Sequence, residues 1–253
     1  MANTRFLITN LLELATIKNG GGGAPARDEI APTKIEDAVN SDRYSVWRSS
    51  PAGNQVDFDL TAGVAINIPV QVGVVLGARH LLSVDFTLDP TGSYPPPYTL
   101  ISTIPFNEGQ RNGVAVAIGP TNSRFASFIL TSDGSEMEVG RLVVGSIDTD
   151  IGIISSPGYD KTTTIPRQEY RTWSGVPVSN YGIAPYKVFS IPYNNITTAT
   201  KTKLEQLALL KQTVILIDHT GTVYECRVEQ WRDVQVWGNP ALFNGTLEMT
   251  ELP

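Results

Sequence analysis

Apolar residues along this chain gather into short runs that either alternate with polar ones or are unbroken, and a helical period is rare. Segments 55–60, 65–70, 80–88, 98–104, 113–118, 124–131 and 140–147 have this character and predict strands. Turn chemistry separates them: Thr61-Ala62-Gly63, Asp89-Pro90-Thr91-Gly92, Asn107-Glu108-Gly109, Gly119-Pro120-Thr121-Asn122 and Ser132-Asp133-Gly134. Strands at this spacing predict a β-sandwich or jelly roll over residues 1–147. Ahead of them, 6–17 is a first apolar stretch, broken by Asn10 and Glu13 and closed by Lys18-Asn19 and the glycine run 20–23. Those glycines predict a flexible loop and not a phosphate cradle, because no strand–loop–helix pattern with a Lys-Ser/Thr pair follows.

Between 148 and 184 the pattern weakens, yet Tyr159, Tyr170, Trp173 and Tyr181 are interleaved with the loop-like residues. A disordered linker seldom carries so many aromatics, so an ordered connection is expected. Beyond it, 187–191 alternates as a strand, and Thr198 can cap a helix over 198–211 with Thr200, Leu204, Leu207 and Ala208 on one face. Segments 214–217 and 222–231, joined by Asp218-His219-Thr220-Gly221, predict a hairpin. The final strand, 245–252, is expected to be an uncovered edge, which makes Glu248 and Glu251 candidate interface residues. The predicted class is therefore mainly β: a jelly roll over 1–147, an ordered connection over 148–184, and a β unit with one α-helix over 185–253.

Composition agrees with many short strands and tight turns. Of 253 residues, 17% are charged, against roughly 25% in an average domain, and the chain holds 22 Gly and 17 Pro. A net charge of −6 without a dense Lys/Arg cluster argues against nucleic-acid binding, which depends on neutralising phosphate. It also argues against an anionic membrane surface, and no run approaches the apolar length of a membrane span. The opening residues do not read as a signal peptide, so the chain is expected to be made and kept in a reducing compartment.

Candidate chemistry is sparse. A single cysteine, Cys226, excludes an intrachain disulfide framework and a zinc cluster, and strand alternation puts it in the core beside Tyr224 and Val228. His80 and His219 lack ligand spacing and read as incidental surface or turn residues. Asp57/Asp59 and Asp148/Asp150 could act as acid and base or hold a cation, but solvated charges explain them as well. No nucleophile elbow is present. No catalytic residue, cofactor or metal is expected.

Two stretches are more specific. Residues 40–50 read NSDRYSVWRSS, preceded by Ala38-Val39 and followed by the strand at 55–60. This resembles the opening of discoidin-like or galactose-binding-like jelly rolls, in which a Trp-Arg/Lys-Ser step leads into a strand. Glu138-Val139-Gly140-Arg141-Leu142-Val143-Val144-Gly145 is similar to that family's closing strand. The resemblance spans about 5–147 and implies the fold together with sugar binding, making Trp47 and Arg48 candidate ligand contacts. The competing and favoured reading of Trp47 is packing at the sandwich edge.

The order of elements from Tyr186 onward, through Val214-Ile215-Leu216-Ile217-Asp218-His219-Thr220-Gly221 and Val223-Tyr224-Glu225-Cys226-Arg227-Val228, resembles tail-tube and distal-tail modules of long-tailed phages. That likeness implies a structural component of a virion tail tip or baseplate, assembled in the host cytoplasm as a homo-oligomeric ring with other tail proteins, and a host-surface glycan as a further partner. Two alternatives stand beside it: a carbohydrate-binding module protein, and a glycan hydrolase using a carboxylate pair.

Overall fold

The computed structural model describes residues 5–7, 10–18, 34–39, 46–51, 55–60, 68–89, 99–105, 114–146, 149–150, 160–165, 168–171, 177–180, 185–209, 213–218 and 221–252. Strand β1 (Arg5–Leu7) is followed by a 3-10 turn (Leu11–Leu14), β2 (Thr16–Lys18), helix α1 (Ile35–Val39), β3 (Trp47–Ser49) and β4 (Gln55–Asp59). Next come β5 (Ile68–Leu76), β6 (Leu81–Asp89), β7 (Thr99–Pro105), β8 (Val114–Ser123), β9 (Phe125–Ser132), β10 (Met137–Val139) and β11 (Arg141–Gly145). The remainder holds β12 (Thr149–Asp150), β13 (Asp160–Thr164), β14 (Gln168–Arg171), β15 (Pro177–Asn180), β16 (Tyr186–Thr197), α2 (Thr198–Leu209), β17 (Thr213–Ile217), β18 (Val223–Gln235) and β19 (Leu242–Glu251). The protein is mainly β, with antiparallel sheets throughout, and α1 is a short helix beyond the one expected. The glycine run 20–23 and the aromatics Tyr159, Trp173 and Tyr181 lie outside the described residues.

Two compact units are present. One is made of Met1–Ile8, Thr149–Thr220 and Tyr224–Pro253; the other is Thr9–Asp148 with Gly221–Val223. The first apolar stretch is thus divided after Ile8: β1 pairs with β17 of the first unit, whereas β2 pairs with β4 of the second.

The sandwich unit, Thr9–Asp148, pairs a five-stranded sheet, β2-β4-β9-β6-β7, with a three-stranded one, β11-β5-β8, and adds the ribbon β10-β3. Alternation sends Val56 and Phe58 of β4, Val84 and Phe86 of β6, and Phe128 and Leu130 of β9 into one core with Val75, Leu142 and Val144. Phe128 is the hub, with its ring centroid 5.0 Å from Phe86 and 6.3 Å from Phe58. The sheets approach closely at Gly73, where a Cβ would fall 2.9 Å from the Phe86 ring. Gly119-Pro120, expected as a turn, instead lies inside β8, where 118–120 stand opposite Gln71 between the pairs Val70↔Thr121 and Val72↔Ala117. Proline has no amide to donate, so it is tolerated at this interruption of the ladder, and the strand continues past it.

The other unit is built on a seven-stranded sheet, β12-β1-β17-β18-β19-β16-β13. The segment expected as a connection therefore supplies both outermost strands of this sheet, and β14 and β15 pair with each other. Helix α2 sets the fully buried Leu204 and Leu207 against Phe189, Ile191, Tyr193, Leu247 and Met249. Its cap is Thr197 and not Thr198: the Thr200 amide donates to Thr197 Oγ1 at 3.4 Å, the N-cap to N3 geometry of a helix start. Cys226 is buried in the same core.

The expectation of an open last strand is overturned. β19 lies inside the sheet, paired with β16 from Val188↔Thr250 to Thr197↔Leu242 and with β18 from Cys226↔Glu251 to Gln235↔Phe243. A strand that is last in sequence became central because β16 returns to its far side, a non-local pairing that strand patterning does not encode.

Candidate functional site

The ribbon β3–β10 decides what the Trp-Arg-Ser step does. Its register is Trp47↔Val139, Arg48↔Glu138 and Ser49↔Met137, so Trp47 and Ser49 point inward while Arg48 points out. Trp47 is 0% exposed and belongs to the sandwich core, which removes it as a ligand contact: a ring with no accessible face cannot stack on anything. Arg48 remains at the surface, with Nη2 2.9 Å from Glu138 Oε1.

Around this pair the structure gathers residues that sequence reasoning left apart. Glu138 also faces Arg79 across an isolated bridge, in which the Arg79 amide donates to the Glu138 carbonyl at 2.9 Å and the Glu138 amide donates back at 3.2 Å. Arg79 Nη1 lies 3.8 Å from Glu138 Oε2, so one carboxylate sits between two guanidinia. Arg79 is 78% exposed and presents most of its planar fork to solvent. The next residue, His80, has φ +58, a left-handed conformation in which few residues other than glycine settle. It is fixed by Asp133, whose amide donates to the His80 carbonyl at 3.2 Å and whose Oδ2 lies 3.2 Å from His80 Nδ1.

Asp133 is itself held by a local turn. The Ser135 amide donates to Asp133 Oδ1 at 2.9 Å, and the Gly134 amide donates to Ser132 Oγ at 3.2 Å. The Ser135 amide, and after it the His80 ring, hold the Asp133 carboxyl below the ordinary aspartate range. Gly140, the glycine of the closing-strand motif, lets this corner close. A Cβ there would meet the Leu76 carbonyl oxygen at 3.2 Å and the Gly77 Cα at 3.5 Å. The motif's glycine is needed where two chain segments touch, and the Arg141 beside it is mostly buried, 3.4 Å from Glu13.

The result is a surface corner of Arg48, Arg79, His80, Asp133 and Glu138, mounted on backbone that is hydrogen-bonded at each step. Its chemistry is that of donors and acceptors in fixed positions, suited to reading hydroxyl or carboxylate groups. Arg48 and the Ser132-Asp133-Gly134 turn are legible in the sequence, whereas His80 reads there as an incidental surface residue. Only the pairing of the turn with residue 80 joins them, and it links positions 53 residues apart.

Other expected residues fall elsewhere. Asp57 and Asp59 are buried: Gln55 Nε2 donates to Asp57 Oδ1 at 2.9 Å, and the Arg124 guanidinium reaches Asp59 Oδ2 at 3.1 Å. The reading of this pair as solvated charges is therefore corrected, and a buried, bonded pair has no access to substrate. Asp148 and His219 lie outside the described residues, as does the side chain of Asp150. Glu248 and Glu251 are partly buried within the sheet, where Glu248 accepts from Gln230 Nε2 and Glu251 Oε2 accepts the Lys187 amide at 2.8 Å. Among the described residues no group of three or more His, Cys, Asp or Glu is arranged to hold a metal. No described helix is long and apolar enough to cross a membrane.

No protein-family model matches the chain, and no curated protein does. Among solved structures it is similar to the family 32 carbohydrate-binding module of Clostridium perfringens NanJ, solved with galactose. Identity is 10% over 55% of this chain and 98% of that one, with a TM-score of 0.42. Module CBM32-1 of a family 31 glycoside hydrolase from the same organism is 11% identical over 55% and 99% of the two chains, with a TM-score of 0.43. A Clostridium perfringens family 89 glycoside hydrolase, solved with GlcNAc-alpha-1,4-galactose, is 13% identical over 56% of this chain, with a TM-score of 0.42. The chain spans only 15% of that enzyme's length.

Proposed function

We propose that the protein is a non-catalytic binding protein whose sandwich unit takes a hydroxyl-rich ligand, a glycan, at the Arg48–Arg79–Glu138 corner. The observation that carries this reading is the placement of Arg79. Its backbone is held at a ladder position, with its exposed guanidinium 3.8 Å from the Glu138 carboxylate and beside a histidine fixed in a left-handed turn. Preorganised donors lose little freedom on binding, which is what a small polar ligand requires of a shallow site. The resemblance of 40–50 and 138–145 to galactose-binding-like jelly rolls supports the same reading, and the burial of Asp57 and Asp59 weighs against hydrolysis by that pair.

A glycan array probed with the full chain tests it. Binding to at least one glycan class is expected, with Arg79→Ala and Arg48→Ala each weakening it tenfold or more, as loss of a charge-assisted hydrogen bond of about 1.5–3 kcal/mol implies. An array without signal, or one that both variants leave unchanged, would sink the proposal. The tail-component reading keeps in its favour the sheet with one flanking helix, but it has lost the open last strand as its ring interface. Sedimentation of the free protein separates the two, because a ring former self-associates and a free-standing module does not.

A further inference from the structure

The hairpin of β18 and β19 ends in a surface that the glycan reading leaves unexplained. β18 has 13 residues and β17 only 5, so most of β18 cannot have β17 as a partner. The short link 218–222 places their pairing at the beginning of β18. From Glu229 to Gln235, β18 has β19 on one side and, among the described residues, no strand on the other. Beyond this edge the tip is fixed: the Val236 amide donates to the Leu242 carbonyl at 2.9 Å and the Asn239 amide to the Val236 carbonyl at 3.1 Å. The side chains of Asn239 and Gln235 are used within the tip, on the Ala241 amide and the Pro240 carbonyl. On this rigid support Trp237 is 99% exposed and Val234 73%. Residues 234–246 include no charged side chain.

We propose that the edge of β18 from Glu229 to Gln235, with Trp237 beyond it, takes a β-strand from a different polypeptide. Unpaired backbone along an edge supplies the ladder, and a preset tryptophan supplies the anchor. Charge selects the occupant. Asp233 is neutralised by Lys201 at 2.9 Å and Glu229 by Arg227 at 2.8 Å, whereas Arg232 is exposed with no carboxylate partner among the described residues. A strand with an acidic residue opposite Arg232 and an apolar one opposite Val234 complements this edge. Self-pairing of two copies centred on Arg232 sets two guanidinia face to face, which a strand carrying an acid at that position avoids.

The test is a yeast-displayed library of random dodecapeptides selected on the full chain. Enriched peptides should alternate, with an acidic residue two positions from an apolar one. Binding should fall at least tenfold on Trp237→Ala and on Arg232→Glu, and a lysine in place of the peptide's acid should restore binding to Arg232→Glu. Both substitutions are at exposed positions, so an unchanged melting curve is the control, with Val234→Lys as a second disruptive variant. Amide exchange at 229–235 should slow in the presence of a selected peptide. No enrichment, or peptides that bind the variants as well as the parent, would overturn the proposal. So would a dimer abolished by Trp237→Ala, which assigns the edge to a second copy, or Trp237-dependent binding to phosphatidylcholine–phosphatidylglycerol vesicles, which assigns it to a membrane.

Discussion

The side chain of Asn10 and the backbone of Leu142, 132 residues apart, are joined by a hydrogen bond from Asn10 Nδ2 to the Leu142 carbonyl at 3.1 Å. The same amide reaches the Val39 carbonyl at 3.4 Å, while Oδ1 accepts from the Val144 amide at 3.1 Å and the Leu12 amide at 3.2 Å. One buried side chain thus ties the 3-10 turn, α1 and β11 together. Asn10→Leu should be costly despite its apolar character, because it strands buried backbone groups at about 1–3 kcal/mol each. Urea denaturation should show a loss of several kcal/mol for the sandwich unit. A loss below about 1 kcal/mol would mean that water replaces the amide.

Gly73 and Phe86 define where the two sandwich sheets come nearest. An added methyl would stand 2.9 Å from the ring, inside van der Waals contact. Gly73→Ala should destabilise by about 1–3 kcal/mol, the ordinary cost of overpacking. Phe86→Leu costs stability on its own, but the double variant should be more stable than the two losses added together, because the smaller side chain makes room. Strict additivity in the double-mutant cycle would show that the sheets simply move apart.

Much of this architecture is legible in the chain because strand existence is local. The alternation around Val56 and Phe58 marks β4, and that around Val84 and Phe86 marks β6. Trp47 is legible as a packing residue too, the reading favoured from the sequence, and its burial carries it from the sandwich edge into the core. What was not legible is which strands become neighbours. β19 looked like an edge because its second partner, β16, precedes it by a helix and two strands. Gly119-Pro120 looked like a turn because bulges and turns use the same residues. The candidate site suffered most, since Arg79, His80, Asp133 and Glu138 signal nothing until the bridge at Arg79 brings them together.

Helix α2 should tolerate no charge on its inner face. Leu204→Asp or Leu207→Asp buries a carboxylate among Phe189, Tyr193 and Met249, a cost of several kcal/mol against a domain stability of roughly 5–15. Circular dichroism and gel filtration should show loss of the seven-stranded unit. Thr197→Ala, which removes only the cap, should cost about 1 kcal/mol by the same assay. A well-folded Leu204→Asp variant would mean that α2 is not docked.

The turn that fixes His80 should survive moderate acid. The Asp133 pKa is lowered below 3.8, chiefly by the Ser135 amide and then by the His80 ring. A depressed carboxylate stabilises above its unfolded pKa, and the contribution is lost as pH falls through the folded value. The turn should therefore hold at pH 5–8 and loosen only below 3.8. The Ser135 amide resonance should titrate with a midpoint under 3.8, and Asp133→Asn should remove that titration. A midpoint at or above 3.8 would separate Asp133 from both of its partners.

Glu138 offers the cleanest separation of binding from folding. Its carboxylate stands between Arg48 and Arg79, both well exposed, so the two ion pairs are screened by water and contribute little to stability, about 0–1 kcal/mol in total. Its backbone, by contrast, carries the bridge to Arg79 and the ribbon to Arg48, and substitution leaves both in place. Glu138→Gln should accordingly leave the melting temperature within a degree or two while freeing both guanidinia to wander. If the corner reads a glycan, affinity should fall severalfold to tenfold. Arg79→Ala should then cost less in the Glu138→Gln background than in the parent, since an unoriented guanidinium has less to lose. Calorimetry on the four proteins of this cycle, with a glycan from the array, measures that coupling directly. Full additivity would mean that Glu138 does not position Arg79, and a large fall in melting temperature would make it a structural residue instead.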